Sequence, residues 1–396
     1  MKLHRILVTA VVDALTEIFV AKRHASQVVE SVLKSNKKWG ARDRAFIAEN
    51  TYEIVRWWRL LSYMTDSENV WSVFGAWQIS QGHPLPDWPE FTGIDPESIL
   101  ARAKTANDIR KIRESVPDWL DEIGKKELGD NWDTELAALN QTAAVVLRVN
   151  TLRSPTAAFA MVLNQEQIPT QTVPGAPDAL VLQTKKNLLS TQYYQDGLFE
   201  IQDTGSQLIA PFLDAQPNQM VIDACAGAGG KSLHLATLMG NKGKIVAMDV
   251  EGRKLEELRK RALRNKIKMI ETKTIDSADS IKKYHNTADR LLLDVPCSGL
   301  GVLRRNPDAK WKLTPEFLDK IRQTQWEILS EYAKMLKIGG KMVYATCSIL
   351  PSEGEQQVAR FLEVFGKHWE LLSEARTGPA QNSTDGFYMA ALLRKS

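Results

Sequence analysis

The 396-residue chain is long enough for two or three domains, and its 43% hydrophobic and 25% charged residues are typical of an ordinary globular protein. Its net charge is only +3, but residues 1–60 carry 11 Lys and Arg against 6 Asp and Glu, whereas residues 61–140 carry 7 against 15. A basic leading segment before an acidic middle suits a nucleic-acid partner, although scattered solvated charges would give the same counts. Three cysteines without a Cys-x-x-Cys pair argue against a disulfide framework and a zinc site, and they favour a reducing, cytoplasmic location.

The chain begins with segments whose apolar residues recur at helical spacing. Asp13 and Glu17 interrupt the first apolar run, so we predict an amphipathic helix there and not a secretory segment. No apolar stretch approaches the roughly 20 residues that a membrane-spanning helix needs. Eight of the 11 tryptophans precede residue 140, and packing in a core or lid is favoured for them over stacking on bases. We predict a helical N-terminal domain over residues 1–135 and no membrane association.

Two further regions follow. Residues 136–215 mix strand-like and helix-like pieces and predict a small α/β module that binds RNA. From residue 218 onwards apolar strands alternate with helices, and the predicted strands are 220–224, 244–249, 269–275, 290–295, 341–346 and 387–393. Repeated strand–helix units predict an α/β, Rossmann-like, doubly wound and mainly parallel sheet over residues 216–396. Such sheets bind ligands at the carboxyl ends of their strands.

A glycine-rich turn follows the first of these strands, and acids follow the next three: Asp249, Asp276 and Asp294. The turn matches neither the dinucleotide nor the P-loop pattern. A single acid would be interpreted as a helix N-cap, but three in register suit a nucleoside cofactor, with Asp249 on the ribose and Asp276 near the adenine. We therefore predict S-adenosylmethionine. The residues expected to form its pocket are Ala224, Cys225, Ala226, Gly227, Ala228, Gly229, Gly230, Lys231, Asp249, Arg253, Asp276 and Asp294.

The loops after the fourth and fifth strands each carry a cysteine, Cys297 in Asp-x-Pro-Cys-Ser-Gly and Cys347 in Thr-Cys-Ser. In the methyltransferase form of this sheet the two strands are neighbours about 4.8 Å apart, so both thiols would face one crevice. The pair suits methylation of cytosine carbon 5, because a thiolate that adds to carbon 6 activates carbon 5, whose proton must then be removed. Asp294 is placed beside ring nitrogen 3, and Lys231 could hydrogen-bond the base and favour a thiolate. Cys225 is interpreted as a packing residue.

At these residues the chain resembles the Sun/Fmu-type, RsmB-like RNA cytosine-carbon-5 methyltransferase family over roughly residues 115–396. The motifs that carry the resemblance are Pro117–Leu120, Leu147–Leu152, Ile201–Ser206, the glycine turn, Asp294–Trp311, Ala345–Ser348, Glu353–Glu355 and Asp385–Tyr388. The resemblance implies that Cys347 forms the covalent adduct, that Cys297 assists release, and that Lys231 and Asp294 touch the target base. The pattern departs at Ala228, where the family usually has proline. Residues 1–64 loosely resemble the family's NusB-like helical domain, and their charge motivates the hypothesis that they dock RNA.

Several functions remain open at this level. Ribosomal RNA is the favoured substrate, and transfer RNA with the same chemistry is the alternative. A non-catalytic ribosome-assembly factor is disfavoured, because a binding module has no use for both thiols. A DNA cytosine methyltransferase would be expected to use Cys297 and would not need Cys347. We expect a monomer without a metal site, and the sequence does not identify the target cytosine.

Overall fold

A computed structural model of the chain describes residues 3–184 and 186–396. The first two residues of the predicted helical domain and Lys185 of the predicted small module lie outside that part. The structure forms two compact units, of which the first contains the described residues up to Gln141 together with Leu303–Pro315. The second unit contains Thr142–Val302 and Glu316–Ser396. The three-domain boundaries inferred from the sequence stay predictions. None of the helices in the described part is long and apolar enough to cross a membrane.

The first unit is helical. Its α-helices are α1 (Arg5–Phe19), α2 (Ala25–Ser35), α3 (Ala41–Arg56), α4 (Trp58–Thr65), α5 (Val70–Ser80), α6 (Pro96–Ala106), α7 (Arg110–Arg113), α8 (Asp118–Leu128) and α9 (Asn131–Leu139). The amphipathic first helix buries Val8, Val11 and Leu15 in a core that it shares with α3 and α5. This burial is what the spacing of its apolar residues predicts.

The segment Leu303–Pro315 packs within this helical unit. The buried guanidinium of Arg56 donates to the carbonyl of Arg304 at 3.0 Å, and Lys310 Nζ donates to the carbonyl of Arg56 at 2.8 Å. Trp311 Nε1 donates to the carbonyl of the residue before Arg56 at 2.7 Å. Complete burial lowers the pKa of Lys310 well below its ordinary value, because it penalises the charged amine. These bonds fix the segment to the C-terminal end of α3.

The second unit begins with a small sheet. Its elements are β1 (Val146–Val149), α10 (Thr156–Gln165), β2 (Thr170–Val173), β3 (Ala176–Leu182), α11 (Gln192–Gln195) and β4 (Phe199–Ile201). The four strands are antiparallel and lie in the order β2-β3-β1-β4. Leu147, Phe159 and Phe199 form the core between the sheet and α10.

A seven-stranded sheet with flanking helices forms the rest of this unit. Its elements are α12 (Thr204–Leu213), β5 (Met220–Asp223), α13 (Gly230–Leu238), β6 (Lys244–Asp249), α14 (Gly252–Arg264), β7 (Ile270–Thr274), α15 (Ala278–Lys282), β8 (Ala288–Asp294), α16 (Pro315–Tyr332), β9 (Leu336–Thr346), α17 (Glu355–Phe365), β10 (Trp369–Thr377), α18 (Pro379–Asn382) and β11 (Phe387–Arg394). Pro315, the first residue of α16, still belongs to the helical unit.

The strand order is β10-β11-β9-β8-β5-β6-β7. Strands β5 to β9 are parallel to their neighbours, whereas β11 is antiparallel to β9 and to β10. Alternate residues of the central strands enter two different cores, as Val221 and Ile222 of β5 do. Helices therefore cover both faces, which explains why these strands are almost wholly apolar.

This architecture confirms the predicted fold class, a doubly wound, mainly parallel α/β sheet. One strand was not predicted: β10 (Trp369–Thr377) lies at the edge of the sheet beside β11. Because the strands β5 to β8 point the same way, their carboxyl ends lie along one edge, and every acid singled out in the sequence follows one of them.

Candidate active site

The glycine turn from Ala224 to Lys231 joins β5 to α13. It is pinned to both neighbouring strands, because the Ala224 amide donates to the Leu292 carbonyl of β8 at 3.0 Å and the Ala226 amide donates to the Met248 carbonyl of β6 at 2.9 Å. Gly229 has a φ of +84°, and a Cβ at this position would lie 2.3 Å from the Leu258 Cγ. Glycine is required there both by backbone conformation and by space.

The small sheet supports the outer side of this turn. Buried Arg148 on β1 donates to the carbonyl of Gly230, and Arg261 on α14 donates to the carbonyl of Ala228 at 2.7 Å. Glu200 on β4 forms an ion pair with Arg261 at 2.9 Å. Burial lowers the pKa of Arg148 to about 10, which leaves its guanidinium charged at neutral pH. Two carbonyls of the turn are therefore held by the guanidinium groups of Arg148 and Arg261. Arg148 belongs to the sequence motif Leu147–Leu152, so one function of that motif is to support the turn.

Two of the predicted cofactor acids hold backbone or neighbouring hydroxyl groups. Asp249 accepts the Gly227 amide through Oδ2 and the Glu251 amide through Oδ1, each at 2.8 Å. Asp276 accepts hydrogen bonds from Ser280 Oγ at 2.6 Å and from the neighbouring serine at 3.2 Å. These bonds, of which that from Ser280 is the larger influence, lower the pKa of Asp276 and keep it ionised. Neither acid accepts a backbone amide from the first turn of the helix that follows it, as an N-cap residue would.

A cavity of about 710 Å³ opens beyond the carboxyl ends of β6, β7 and β8. Its wall includes Val250 and Asp276 from the loops after β6 and β7, Pro296 from the loop after β8, and Ile328 and Tyr332 from α16. Its lining also carries charged side chains from α15 and α16, among them Lys282, Glu327 and Glu331, and it includes neither Asp249 nor the glycine turn. Val250, the residue after Asp249, is part of the lining, so Asp249 and the turn adjoin the cavity and are candidates to hold a nucleoside cofactor such as S-adenosylmethionine beside it.

Lys231 and Asp294 form an ion pair beside the glycine turn, with 2.5 Å between Nζ and Oδ2. Burial of Lys231 opposes its positive charge, but attraction to the Asp294 carboxylate and the hydrogen bond between them outweigh it, so the pKa of Lys231 is raised. Lys231 therefore presents an ammonium group beside Asp294 at the end of β8. Both residues are expected at the target base from the sequence, and the structure brings them together.

The two cysteines after β8 and β9 converge. Cys297 Sγ lies 3.1 Å from Cys347 Sγ, although the two residues are on different loops. The convergence follows from the parallel pairing of β8 and β9, in which Asp294 is opposite Ala345. The contact with Cys347, followed by burial, raises the pKa of Cys297 well above its ordinary value, so Cys297 keeps its proton at neutral pH.

The other predicted pocket residues occupy different environments. Cys225 lies in the glycine turn and packs against the core on the α16 side of the sheet. Burial raises the pKa of the Cys225 thiol, which keeps it protonated and suits the packing role expected for it. Arg253 is exposed at the first turn of α14, and its role towards the cofactor stays a prediction.

Glu353, for which the sequence predicts no role, lies behind the two thiols. It is fully buried and accepts hydrogen bonds from Ser298 and Ser348, the residues that directly follow the two cysteines. Gln325 of α16 also donates to it, at 2.9 Å. The available signal was the serine after each cysteine together with an acid a few residues later, but nothing local indicates that these groups meet.

Comparison with known proteins agrees with this geometry. Residues 210–393 match the family described as "16S rRNA methyltransferase RsmB/F", and residues 116–188 match its ferredoxin-like domain. The "Ribosomal RNA small subunit methyltransferase B" of Proteus mirabilis is 32% identical over 303 residues, which are 76% of this chain and 70% of the relative. The chain belongs to the RsmB/F methyltransferase family. Members of this family are S-adenosylmethionine-dependent RNA methyltransferases, so the family and the cofactor predicted from the sequence are confirmed.

Two further relatives show how much of this chain and of each relative the similarity covers. The "Probable ribosomal RNA small subunit methyltransferase B" of Synechocystis sp. is 36% identical over 253 residues, which are 63% of this chain. The match spans only 56% of the length of that relative. A solved structure named PH0851 superposes with a TM-score of 0.84 over 100% of both chains at 23% identity. The fold of the whole chain, including its helical unit, therefore has a solved counterpart.

Proposed function

We propose that this chain methylates carbon 5 of a cytosine in ribosomal RNA through a covalent bond between Cys347 and carbon 6 of the base. The observation that carries the proposal is the 3.1 Å separation of Cys297 Sγ and Cys347 Sγ at the carboxyl ends of two parallel strands. One thiol would serve many purposes, whereas two at this distance suit a reaction that both forms and releases a thioether. The names of the curated relatives support ribosomal RNA as the substrate.

In this mechanism the sulfur of Cys347 forms a bond to carbon 6 of the cytosine. The ammonium of Lys231 attracts the negative charge on that sulfur, while the Asp294 carboxyl, hydrogen-bonded to Lys231 at 2.5 Å, faces ring nitrogen 3. The electrons of the 5,6 double bond become available at carbon 5. S-adenosylmethionine, when bound, supplies the methyl group. The carbon-5 proton then passes to a water molecule, the double bond re-forms, and the carbon–sulfur bond breaks with its electron pair returning to the Cys347 sulfur, towards which the Cys297 thiol donates a hydrogen bond to assist release.

The raised pKa of Cys297 supports this division of roles. The contact with Cys347, followed by burial, raises the pKa of Cys297, so Cys297 stays a thiol at neutral pH, and either sulfur of the 3.1 Å contact can be the hydrogen-bond donor. A cysteine that stays protonated is a poor nucleophile, because the thiolate is the attacking form. The raised pKa of Cys297 therefore favours Cys347 as the attacking sulfur, which is the role that the family resemblance implies.

Bisulfite sequencing of total RNA, from cells with and without this protein, tests the proposal. The expected result is one or a few cytosines in ribosomal RNA that resist conversion only when the protein is present. Protected cytosines in transfer RNA alone would reject ribosomal RNA as the substrate but keep the chemistry. Unchanged conversion at every cytosine would reject the chemistry.

A further inference from the structure

The carboxylate of Glu353 is a single acceptor shared by the two loops that carry the thiols. Its Oε1 accepts from Ser298 Oγ and from Ser348 Oγ, both at 2.5 Å. Its Oε2 accepts from the Ser298 amide at 2.8 Å and from Gln325 Nε2 at 2.9 Å. All four donors are neutral groups, and the Glu353 side chain is 0% exposed. Burial of a carboxylate without solvent is costly unless several donors satisfy it, and this site supplies four.

The donors to Glu353 are the immediate neighbours of the proposed catalytic atoms. Ser298 follows Cys297 after β8, and Ser348 follows Cys347 after β9. Gln325 also holds the residue before Cys297, because its Nε2 donates to the carbonyl of Pro296 at 3.0 Å. The carboxylate therefore holds both sides of the Cys297 peptide and one side of Cys347.

Glu353 is itself held in place independently of the thiols. It ends a short 3₁₀ turn, Pro351–Glu353, between β9 and α17. Its own carbonyl accepts the buried hydroxyl of Tyr344 on β9 at 2.9 Å. A side chain that is anchored through its backbone and bound at both oxygens is a rigid reference point for the two loops.

We propose that Glu353 is a positioning residue that fixes the separation of the Cys297 and Cys347 sulfurs. The inference rests on the proposed function for the use of that pair in catalysis, but the separation itself can be measured without RNA. A carboxylate is needed because its two oxygens accept from donors on both sides. A glutamine at this position would place its NH2 group, a hydrogen donor, against the donors that now bind one of the two oxygens. Those hydrogen bonds would be lost, and the loop that carries Cys297 would no longer be held to the loop that carries Cys347.

Thiol oxidation measures the separation directly. Glutathione disulfide converts the Cys297 and Cys347 thiols to an intramolecular disulfide and is itself reduced to two molecules of glutathione, so the equilibrium constant reports how often the two sulfurs meet. Peptide mass spectrometry identifies the bridged pair. We expect Glu353→Gln to lower this constant at least tenfold. The matched control is Glu363→Gln, the same substitution at an exposed position of α17, which should leave the constant unchanged.

A second set of variants tests the proposal if Glu353→Gln does not fold. Ser298→Ala and Ser348→Ala each leave the buried carboxylate with three of its four donors, and the double variant leaves it with two. Each single variant should lower the disulfide constant, and the double variant should lower it further, while cofactor affinity stays near the wild-type value and the melting temperature falls only as far as the lost hydrogen bonds require, with a cooperative transition that shows a folded chain. A wild-type disulfide constant in folded Glu353→Gln and in the double variant would overturn the proposal.

Single-turnover methylation assays distinguish failure of the Glu353 proposal from failure of the proposed function. If the wild-type chain methylates RNA, folded Glu353→Gln should show a lower rate constant with unchanged KM for RNA and unchanged cofactor affinity. A change in KM alone would contradict a positioning role. If the wild-type chain methylates no cytosine, the proposed function fails, and the disulfide equilibrium still decides whether Glu353 fixes the thiols.

Discussion

The imidazole of His234 should make the folding stability of the second unit, which contains the seven-stranded sheet, decrease at acidic pH. His234 lies on α13, directly after the glycine turn, and is almost completely buried. Its Nε2 is 3.0 Å from Asp178 Oδ2 on β3. Burial is the largest influence and lowers the pKa of His234 from 6.5 to about 4, because the attraction of Asp178 only partly offsets the lost hydration. The folded state therefore keeps this imidazole neutral.

The magnitude follows from the two pKa values. An unfolded chain protonates His234 below pH 6.5, whereas the folded chain resists protonation down to about pH 4. The unfolding free energy is therefore not reduced by His234 above pH 6.5. It falls as the pH decreases from 6.5 towards 4, because only the unfolded chain binds the proton in that range. The loss amounts to about 2 kcal/mol at pH 5 and about 3 kcal/mol at pH 4.

A neighbouring group acts in the opposite direction. Burial raises the pKa of Asp223, at the end of β5, to about 7, so the folded state gains stability relative to the unfolded chain as the pH falls from 7 towards 4. The two effects oppose each other in the wild type. A comparison of variants is therefore needed to isolate His234.

Urea unfolding at pH 7.5 and pH 5.0 provides that comparison. Between these values the wild-type chain should lose about 2 kcal/mol more unfolding free energy than His234→Gln, whose amide can still donate to Asp178. His4→Gln, at an exposed position before α1, should behave as the wild type. Equal losses in the wild type and in His234→Gln would refute the assignment of acid sensitivity to this imidazole.

Two further substitutions test the cofactor site. Gly229→Ala should cost stability and cofactor affinity, because a left-handed residue costs about 1–2 kcal/mol and the new Cβ would lie 2.3 Å from Leu258 Cγ. Gly227→Ala, with a φ of +53° but no atom within 4 Å of its Cβ, should cost only the conformational part in urea unfolding, and equal losses would contradict the steric argument. Asp249→Asn should weaken S-adenosylmethionine binding about tenfold in calorimetry, since bonds to a charged group contribute roughly 1.5–3 kcal/mol. An unchanged affinity would remove Asp249 from the cofactor site.

The central sheet could be predicted because its signals are local. Apolar runs such as Met220–Asp223 alternate with amphipathic helices such as α14, and an acid or a glycine turn marks the carboxyl end of each of the strands β5 to β8. The convergence of Cys297 and Cys347 follows once β8 and β9 are neighbours. That adjacency comes from the fold type and not from the spacing of the residues.

The parts that escaped prediction depend on contacts between distant residues. Strand β10 is an edge strand whose middle residues are mostly exposed, so Trp369–Thr377 lacks an apolar pattern. Leu303–Pro315 carries no local sign that it packs on α3 through Arg56. Glu353 would be expected on a surface from its residue type, and only the donors from two loops and α16 make its burial possible.

Covalent trapping tests the central claim most directly. Purified wild-type chain, Cys347→Ala and Cys297→Ala are each incubated with unmodified ribosomal RNA and S-adenosylmethionine, and protein–RNA adducts are separated on denaturing gels. The proposed roles predict that Cys297→Ala accumulates an adduct, because attack continues while release fails, and that Cys347→Ala neither traps nor methylates RNA. An adduct formed by Cys347→Ala would contradict the assignment of Cys347 as the attacking residue.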